Sequence, residues 1–220
     1  MTRAVLFDFG GTLDADGVPW KERFRRLYMA QGVTMDHARF DPVFFSADDA
    51  LLGALSRCGL RETVARLTAS VSAGLGLADD RVTAAVAEGF LRASRVHLTR
   101  SRALLARLRL RYRLGVVSNF YGNLDAVCDE SGLGGLFDVV VDSTLVGCAK
   151  PDPRIFRCAT DALGVAARET TFVGDSPARD MAGARALGMR HVWLTEERAP
   201  VPCCPDDRTI ASLAEVEALL

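Results

Sequence analysis

The residues best suited to chemistry are scattered along the chain: Asp8, the pair Ser118-Asn119, Lys150, and Asp175 with Asp180. Asp8 closes the apolar run Ala4-Val5-Leu6-Phe7 and is followed at once by Gly10-Gly11-Thr12. A carboxylate at the end of a buried strand is poorly placed for packing and well placed for reaction. The glycines let the backbone turn sharply and bring its N–H groups close to a ligand. Two carboxylates at neighbouring strand ends repel each other unless something positive lies between them. A hard cation with oxygen ligands, Mg²⁺, meets that need. A lysine, a serine hydroxyl and loop N–H groups around the same point suit a phosphoryl group. A carboxylate can also serve as a covalent nucleophile. The residues therefore read as Mg²⁺-assisted transfer of a phosphoryl group from a monoester to Asp8, then to water.

That reading needs elements that bring these positions together. Short, nearly continuous apolar runs lie at 4–7, 114–117, 137–141, 170–173 and 191–194, with a further short one at 209–210. Helical spacing fills the intervals at 101–111, 123–131, 153–163 and 178–187, and a last helix starts at 212. Strands of this kind alternating with helices predict an α/β fold: a doubly wound, Rossmann-like parallel sheet covered on both faces. Four strands end in Asp8, Ser118-Asn119, Asp142-Ser143 and Asp175, on the sheet edge where such folds bind ligands. Between the first strand and the rest, the pattern is helical throughout. Helices are expected at 20–31, 48–58, 61–75 and from Asp79-Asp80 to about 96. The expected organisation is an α/β core of 1–14 and 97–220, with 15–96 inserted as a helical cap. The stretch 196–207, rich in proline and acid, reads as a surface loop.

Composition limits the partners. The 220 residues are 49% apolar and carry a formal net charge of -1, which gives no reason to expect nucleic acid or an anionic membrane surface. No apolar stretch approaches the ~18 residues of a membrane span, and the first apolar run is interrupted by Asp8, unlike a signal peptide. The six cysteines, at 58, 128, 148, 158, 203 and 204, form no metal-ligand spacing and read as reduced thiols. A cytoplasmic protein acting on a small phosphorylated substrate is expected. Nothing in the sequence signals an oligomeric state.

The four motifs, Asp8-Phe9-Gly10-Gly11-Thr12-Leu13, Ser118-Asn119, Lys150-Pro151-Asp152-Pro153 and Gly174-Asp175-Ser176 with Asp180, stand in the order found in haloacid dehalogenase-like (HAD) hydrolases. The chain resembles that superfamily over the whole expected core, and the insert after the first motif resembles its helical C1 cap. The resemblance implies that Asp8 is the nucleophile. It implies that Asp175 and the Gly10 carbonyl hold Mg²⁺ with Asp8, with Asp180 supporting the metal shell. Thr12, Ser118, Asn119 and Lys150 would bind the phosphate.

One position departs from the pattern. Phosphatases of the superfamily usually carry a second Asp two residues after the nucleophile as general acid and base; here that position is Gly10. Such a group typically contributes ~10²–10⁴-fold, so weakened acid/base catalysis is expected, with the loss greatest for poor leaving groups. Asp14 and Asp16, in the loop leading to the cap, are candidate substitutes. Dehalogenases of the superfamily also lack the acid, usually hold an aromatic residue there and need no metal. Phosphonatases hold a small residue there and use a cap lysine, for which Lys21 is the sole candidate; Lys21 reads as an exposed helix charge. A nearly inactive binder of phosphorylated metabolites is a further alternative. Trp20, Arg23, Tyr28, His37, Phe44 and Phe45 are candidates to line a substrate pocket, though each fits burial between helices. His97 and His191 read as structural.

Overall fold

The computed structural model describes residues 1–196 and 208–220. The expected surface loop therefore falls outside the described residues, apart from Glu196, as do Cys203 and Cys204. Six parallel strands form one sheet in the order β3-β2-β1-β4-β5-β6. They are β1 (Ala4–Phe7), β2 (Arg113–Ser118), β3 (Val139–Asp142), β4 (Thr170–Gly174), β5 (Arg190–Leu194) and β6 (Arg208–Ile210). β1 pairs with both β2 and β4. The order reverses there, and loops leaving neighbouring strands in opposite directions open a crevice beyond the strand ends.

All four residues of β1 are completely buried, because both faces of the sheet are covered. Val5 and Phe7 pack in one cluster with Leu104, Leu105 and Leu108 and with Leu124 and Val127 of α5 (Leu124–Glu130). Ala4 and Leu6 point the other way, onto Ile155 and Phe156 of α7 (Pro153–Leu163) and Ala184 of α8 (Ala182–Ala186). Period-two alternation with two apolar faces is what makes the run read as continuous hydrophobics. A four-residue helix, α6 (Ser143–Val146), follows β3 directly.

The segment between β1 and β2 is helical: α1 (Trp20–Ala30), α2 (His37–Asp49), α3 (Leu60–Gly74) and α4 (Asp80–Leu108). Its core is continuous with the first sheet cluster and is rich in aromatic rings. Phe24 stacks on Phe90 at 4.5 Å, Trp20 meets Phe90 edge-on at 5.0 Å, and Trp20 also meets Phe120 at 5.8 Å.

Several expected boundaries move. The helix expected at 48–58 is replaced by α2, which starts where the Asp36 carboxylate accepts the Arg39 N–H at 2.9 Å. Pro42 lies inside α2 and argues against it locally. Burial of Phe40, Phe44 and Ala47 on one face outweighs that cost. Residues 50–58 are turns around Gly53, whose φ is +75°. The helices expected at 80–96 and 101–111 are one 29-residue helix. Ser94, Leu98 and Ser101 continue its buried face through the polar stretch, so residue 97 lies within a helix. The C-terminal helix is a short 3₁₀ segment, Leu213–Ala218. The helix expected at 178–187 is a wide turn, Pro177–Met181, running into α8. Among the described residues, no helix is long and apolar enough to cross a membrane.

Candidate active site

Asp8, Ser118, Lys150, Asp175 and Asp180 converge at the carboxyl ends of β1, β2 and β4, and all are buried. The Ser118 hydroxyl donates to Asp8 Oδ1 at 2.7 Å, and Lys150 Nζ reaches the same oxygen at 2.7 Å. Lys150 Nζ also meets Asp180 Oδ1 at 2.7 Å. Two carboxylates, Asp8 and Asp180, thus share one buried ammonium, with Asp175 close by. Burial alone would raise the Asp8 pKa, but the charge and hydrogen bond of Lys150, helped by Ser118, hold it below the ordinary carboxylate range. Asp175 goes the other way: burial, then the charges of Asp8 and Asp180, push it well up. Burial also raises Asp180, against the pull of Lys150. Burial would lower Lys150, but Asp180 and Asp8 outweigh it and raise it.

Carboxylate oxygens of Asp8, Asp175 and Asp180 lie within 4.8 Å of one another. Asp180 is already committed: one oxygen faces Lys150, and the other accepts the Ser176 N–H at 2.9 Å. Asp175 Oδ2 is buried and has no hydrogen-bond partner among the described residues. An unpaired carboxylate oxygen beside an ionised Asp8 fits a hard cation with oxygen ligands.

The loop geometry explains the glycines differently. Gly11 has φ +91°, and a Cβ there would lie 2.4 Å from Asp175 Oδ2, so only glycine lets this turn approach Asp175. Gly10 has an ordinary backbone (φ -76°, ψ 116°). Its missing side chain leaves room for Trp20, whose Nε1 would lie 3.1 Å from a Cβ at position 10. Gly10→Asp is therefore expected to displace the Trp20 ring and lower stability by ~1–3 kcal/mol through overpacking. Chemical denaturation checks this; unchanged stability would show that the ring yields freely.

Neither substitute acid faces the cavity that Asp8 lines. Asp14 is fully buried and accepts from Arg23 (2.5 Å), Trp20 Nε1 (2.9 Å), Ser94 (3.2 Å) and the Gly11 N–H (2.8 Å). It anchors the helical segment to the nucleophile loop, with both oxygens engaged. Asp16 faces His97 and accepts the Leu213 N–H at 3.2 Å, with its pKa lowered first by the His97 hydrogen bond. His97 is on α4.

Two further positions differ from expectation. Thr12 is wholly buried, with its hydroxyl 3.4 Å from Asp175 Oδ1 rather than in the cavity. Asn119 lines the cavity, but its amide is spent on the Lys150 main chain, accepting the N–H at 2.7 Å and donating to the carbonyl at 3.0 Å. Its side chain positions Lys150.

The cavity over Asp8 encloses about 100 Å³, several times the ~10–15 Å³ that admits one water. Trp20, Phe44 and Phe45 line it. Arg23 is instead buried against Asp14, Tyr28 donates to the Thr68 carbonyl at 3.0 Å inside the helical segment, and His37 is an exposed neighbour of Asp41. Lys21, expected to be a surface charge, is on the cavity wall and paired with Asp41 at 2.5 Å. Sequence reasoning missed Arg179, Tyr121 and Asp48, which complete the wall. Arg179 could have been found, since it lies four residues after Asp175; Asp48 and Tyr121 carry no local signal.

Known proteins resemble this chain in sequence and in fold. A protein-family model described as haloacid dehalogenase-like hydrolase matches residues 2–188. The phosphoserine phosphatase of Thermus thermophilus is 32% identical over 98% of this chain and 91% of its own length. The pyrimidine 5'-nucleotidase YjjG of Escherichia coli is 32% identical over 54% of each chain. Among solved structures, a dehalogenase superposes with a TM-score of 0.67 at 23% identity, covering 100% of this chain and 97% of that one. The HAD hydrolase YfnB of Bacillus subtilis, bound to magnesium, gives 0.60 at 20% identity, covering 100% and 98%. At these identities the two structures speak for the fold alone.

Proposed function

Because the chain belongs to the haloacid dehalogenase-like hydrolase family, we propose that it hydrolyses a small phosphorylated metabolite by passing the phosphoryl group to Asp8 and then to water. The observation that carries this is a buried Asp8, held ionised by Lys150 and Ser118, next to a buried Asp175 oxygen with no partner. Asp8 Oδ1 is the oxygen engaged by both donors, which leaves Oδ2 to attack phosphorus. The Ser118 hydroxyl and Lys150 ammonium then stand within reach of the phosphoryl oxygens as charge moves onto them. Asp8, Asp175 and the Gly10 carbonyl would hold Mg²⁺, which would offset the charge of the phosphoryl group. Asp180 keeps Lys150 in place. Residues 15–96 act as the cap in this reading, with Trp20, Phe44 and Phe45 limiting what enters and Arg179 offering a positive charge at the wall.

Relatives named phosphoserine phosphatase and pyrimidine 5'-nucleotidase act on phosphate monoesters by name, which supports a monoester substrate here. A metal-free dehalogenase would have no use for the unpaired Asp175 oxygen. A phosphonatase mechanism would need Lys21 free of Asp41. The test is turnover of p-nitrophenyl phosphate with Mg²⁺ and after chelation. Activity is expected to fall to background with chelator and to return with added Mg²⁺. Metal-independent chloride release from a 2-haloacid, or no turnover across a panel of phosphate esters, would overturn the proposal.

A further inference from the structure

We propose that Asp48, from the helical segment, is the proton donor and acceptor of this active site, taking over the role that Gly10 cannot fill. The inference rests on the reading of Asp8 as phosphoryl acceptor. Asp48 is the one carboxylic acid on the cavity wall, among the described residues, apart from Asp8 itself. Asp14 and Asp16 are turned away and engaged elsewhere.

Asp48 sits in the last turn of α2, where the negative end of the helix disfavours a carboxylate. That turn holds no basic residue. Burial raises its pKa above the ordinary carboxylate range, and the charge of neighbouring Asp49 adds to this. Two groups oppose the rise: the Tyr121 phenol and the Arg179 guanidinium. Lys21, also on the wall, is spent on Asp41. Arg179 lines the same cavity as Asp8 and Asp48, and its charge favours the ionised form of each. The Tyr121 phenol donates to Asp48 Oδ1, leaving Oδ2 to carry a proton. Tyr121 is itself nearly buried, and its carbonyl accepts the Gly53 N–H at 3.1 Å, so the end of α2 is fastened to the loop after β2. A donor on the helical segment is thereby fixed relative to a nucleophile on the sheet.

The chemistry balances as follows. Asp8 Oδ2 forms a bond to phosphorus as the ester P–O bond breaks. The electron pair goes to the leaving oxygen, which takes the proton of Asp48 and departs as an alcohol. Water then attacks the phosphorus of the aspartyl phosphate and gives its proton to the Asp48 carboxylate. The P–O bond to Asp8 breaks, inorganic phosphate leaves, and both carboxyls return to their starting states. Donation requires protonated Asp48, so turnover of a poor leaving group should fall as pH rises through the raised Asp48 pKa. Tyr121→Phe removes a bond that lowers that pKa and should move the limb to higher pH.

The experiment compares glycerol 2-phosphate with p-nitrophenyl phosphate in Asp48→Asn, with Mg²⁺ and circular dichroism as a check of folding. Steady-state turnover of glycerol 2-phosphate is expected to fall ~10²–10⁴-fold. With p-nitrophenyl phosphate, whose leaving group needs no proton, a burst of about one nitrophenol per Asp8 is expected, followed by slow turnover, because hydrolysis of the aspartyl phosphate has lost its base. Equal losses on both esters without a burst, or no loss on either, would overturn the role of Asp48 and leave Asp8 as nucleophile standing. A wild-type enzyme inert toward both esters would overturn the reading of Asp8, and this inference with it. If the variant fails to fold, the direction of the limb in Tyr121→Phe decides: an unmoved limb overturns the proposal.

Discussion

Asp8→Asn lowers turnover of p-nitrophenyl phosphate by on the order of 10⁴–10⁶-fold, the scale expected when a covalent nucleophile is removed. The amide keeps the size of the carboxyl, and its oxygen can still accept from Ser118 and Lys150, which now bind Asp8 Oδ1 at 2.7 Å each. What is lost is the ionised oxygen that attacks. Folding should change little, because two effects oppose each other. Lys150 loses one of its two carboxylate partners, and Asp175 and Asp180 lose a like charge that raises their pKa values. Activity and melting temperature measured on the same preparation separate chemistry from stability. A variant that folds and keeps more than about 1% of wild-type turnover would require another nucleophile.

The parts visible in the sequence are those that depend on near neighbours in the chain. β1, β2, β4 and β5 are legible because a strand buried on both faces must be apolar at every position. The polar residues ending those strands are legible because the next residues are glycine, serine or asparagine rather than more apolar ones. The helical segment is harder. Pro42 hides α2, although Phe40, Phe44 and Ala47 carry its spacing. Arg95, Arg100 and Arg102 hide the continuity of α4, because a long helix at the surface shows solvent a polar face of its own. The fates of Asp14 and Asp48 are not legible at all. Asp14 is decided by Ser94, 80 residues away, and by Arg23 with its guanidinium 3.8 Å over the Phe90 ring. Asp48 is decided by Tyr121, 73 residues on. Windows that reveal i,i+4 patterns contain neither partner. Gly10 illustrates the same limit: as sequence it is a missing acid, and in the fold it is the space that Trp20 fills.

Lys150→Met separates charge balance from catalysis. Lys150 is 5% exposed and holds Asp8 and Asp180 at once. Methionine approximates its length without its charge, so the cavity cost is small and the electrostatic cost remains. Removing one partner of a buried pair typically costs ~3–5 kcal/mol, because the remaining charge is left without compensation. The sign of its pH dependence follows. Without the ammonium, Asp8 and Asp180 have folded-state pKa values raised above those of the unfolded chain. The native state then binds more protons, so the destabilisation shrinks as pH falls toward those raised values and grows as pH rises through them. Denaturation across a pH series reads this directly; a cost that is flat with pH would mean that Lys150 contributes packing rather than charge. The same change makes the three-carboxylate cluster more negative, so Mg²⁺ should raise the melting temperature of the variant more than that of wild type. Turnover should nevertheless fall ~10²–10³-fold even at saturating Mg²⁺, because the phosphoryl oxygens lose a preorganised donor beside Asp8. A variant rescued by Mg²⁺ in both stability and turnover would show that Lys150 serves only to neutralise its neighbours.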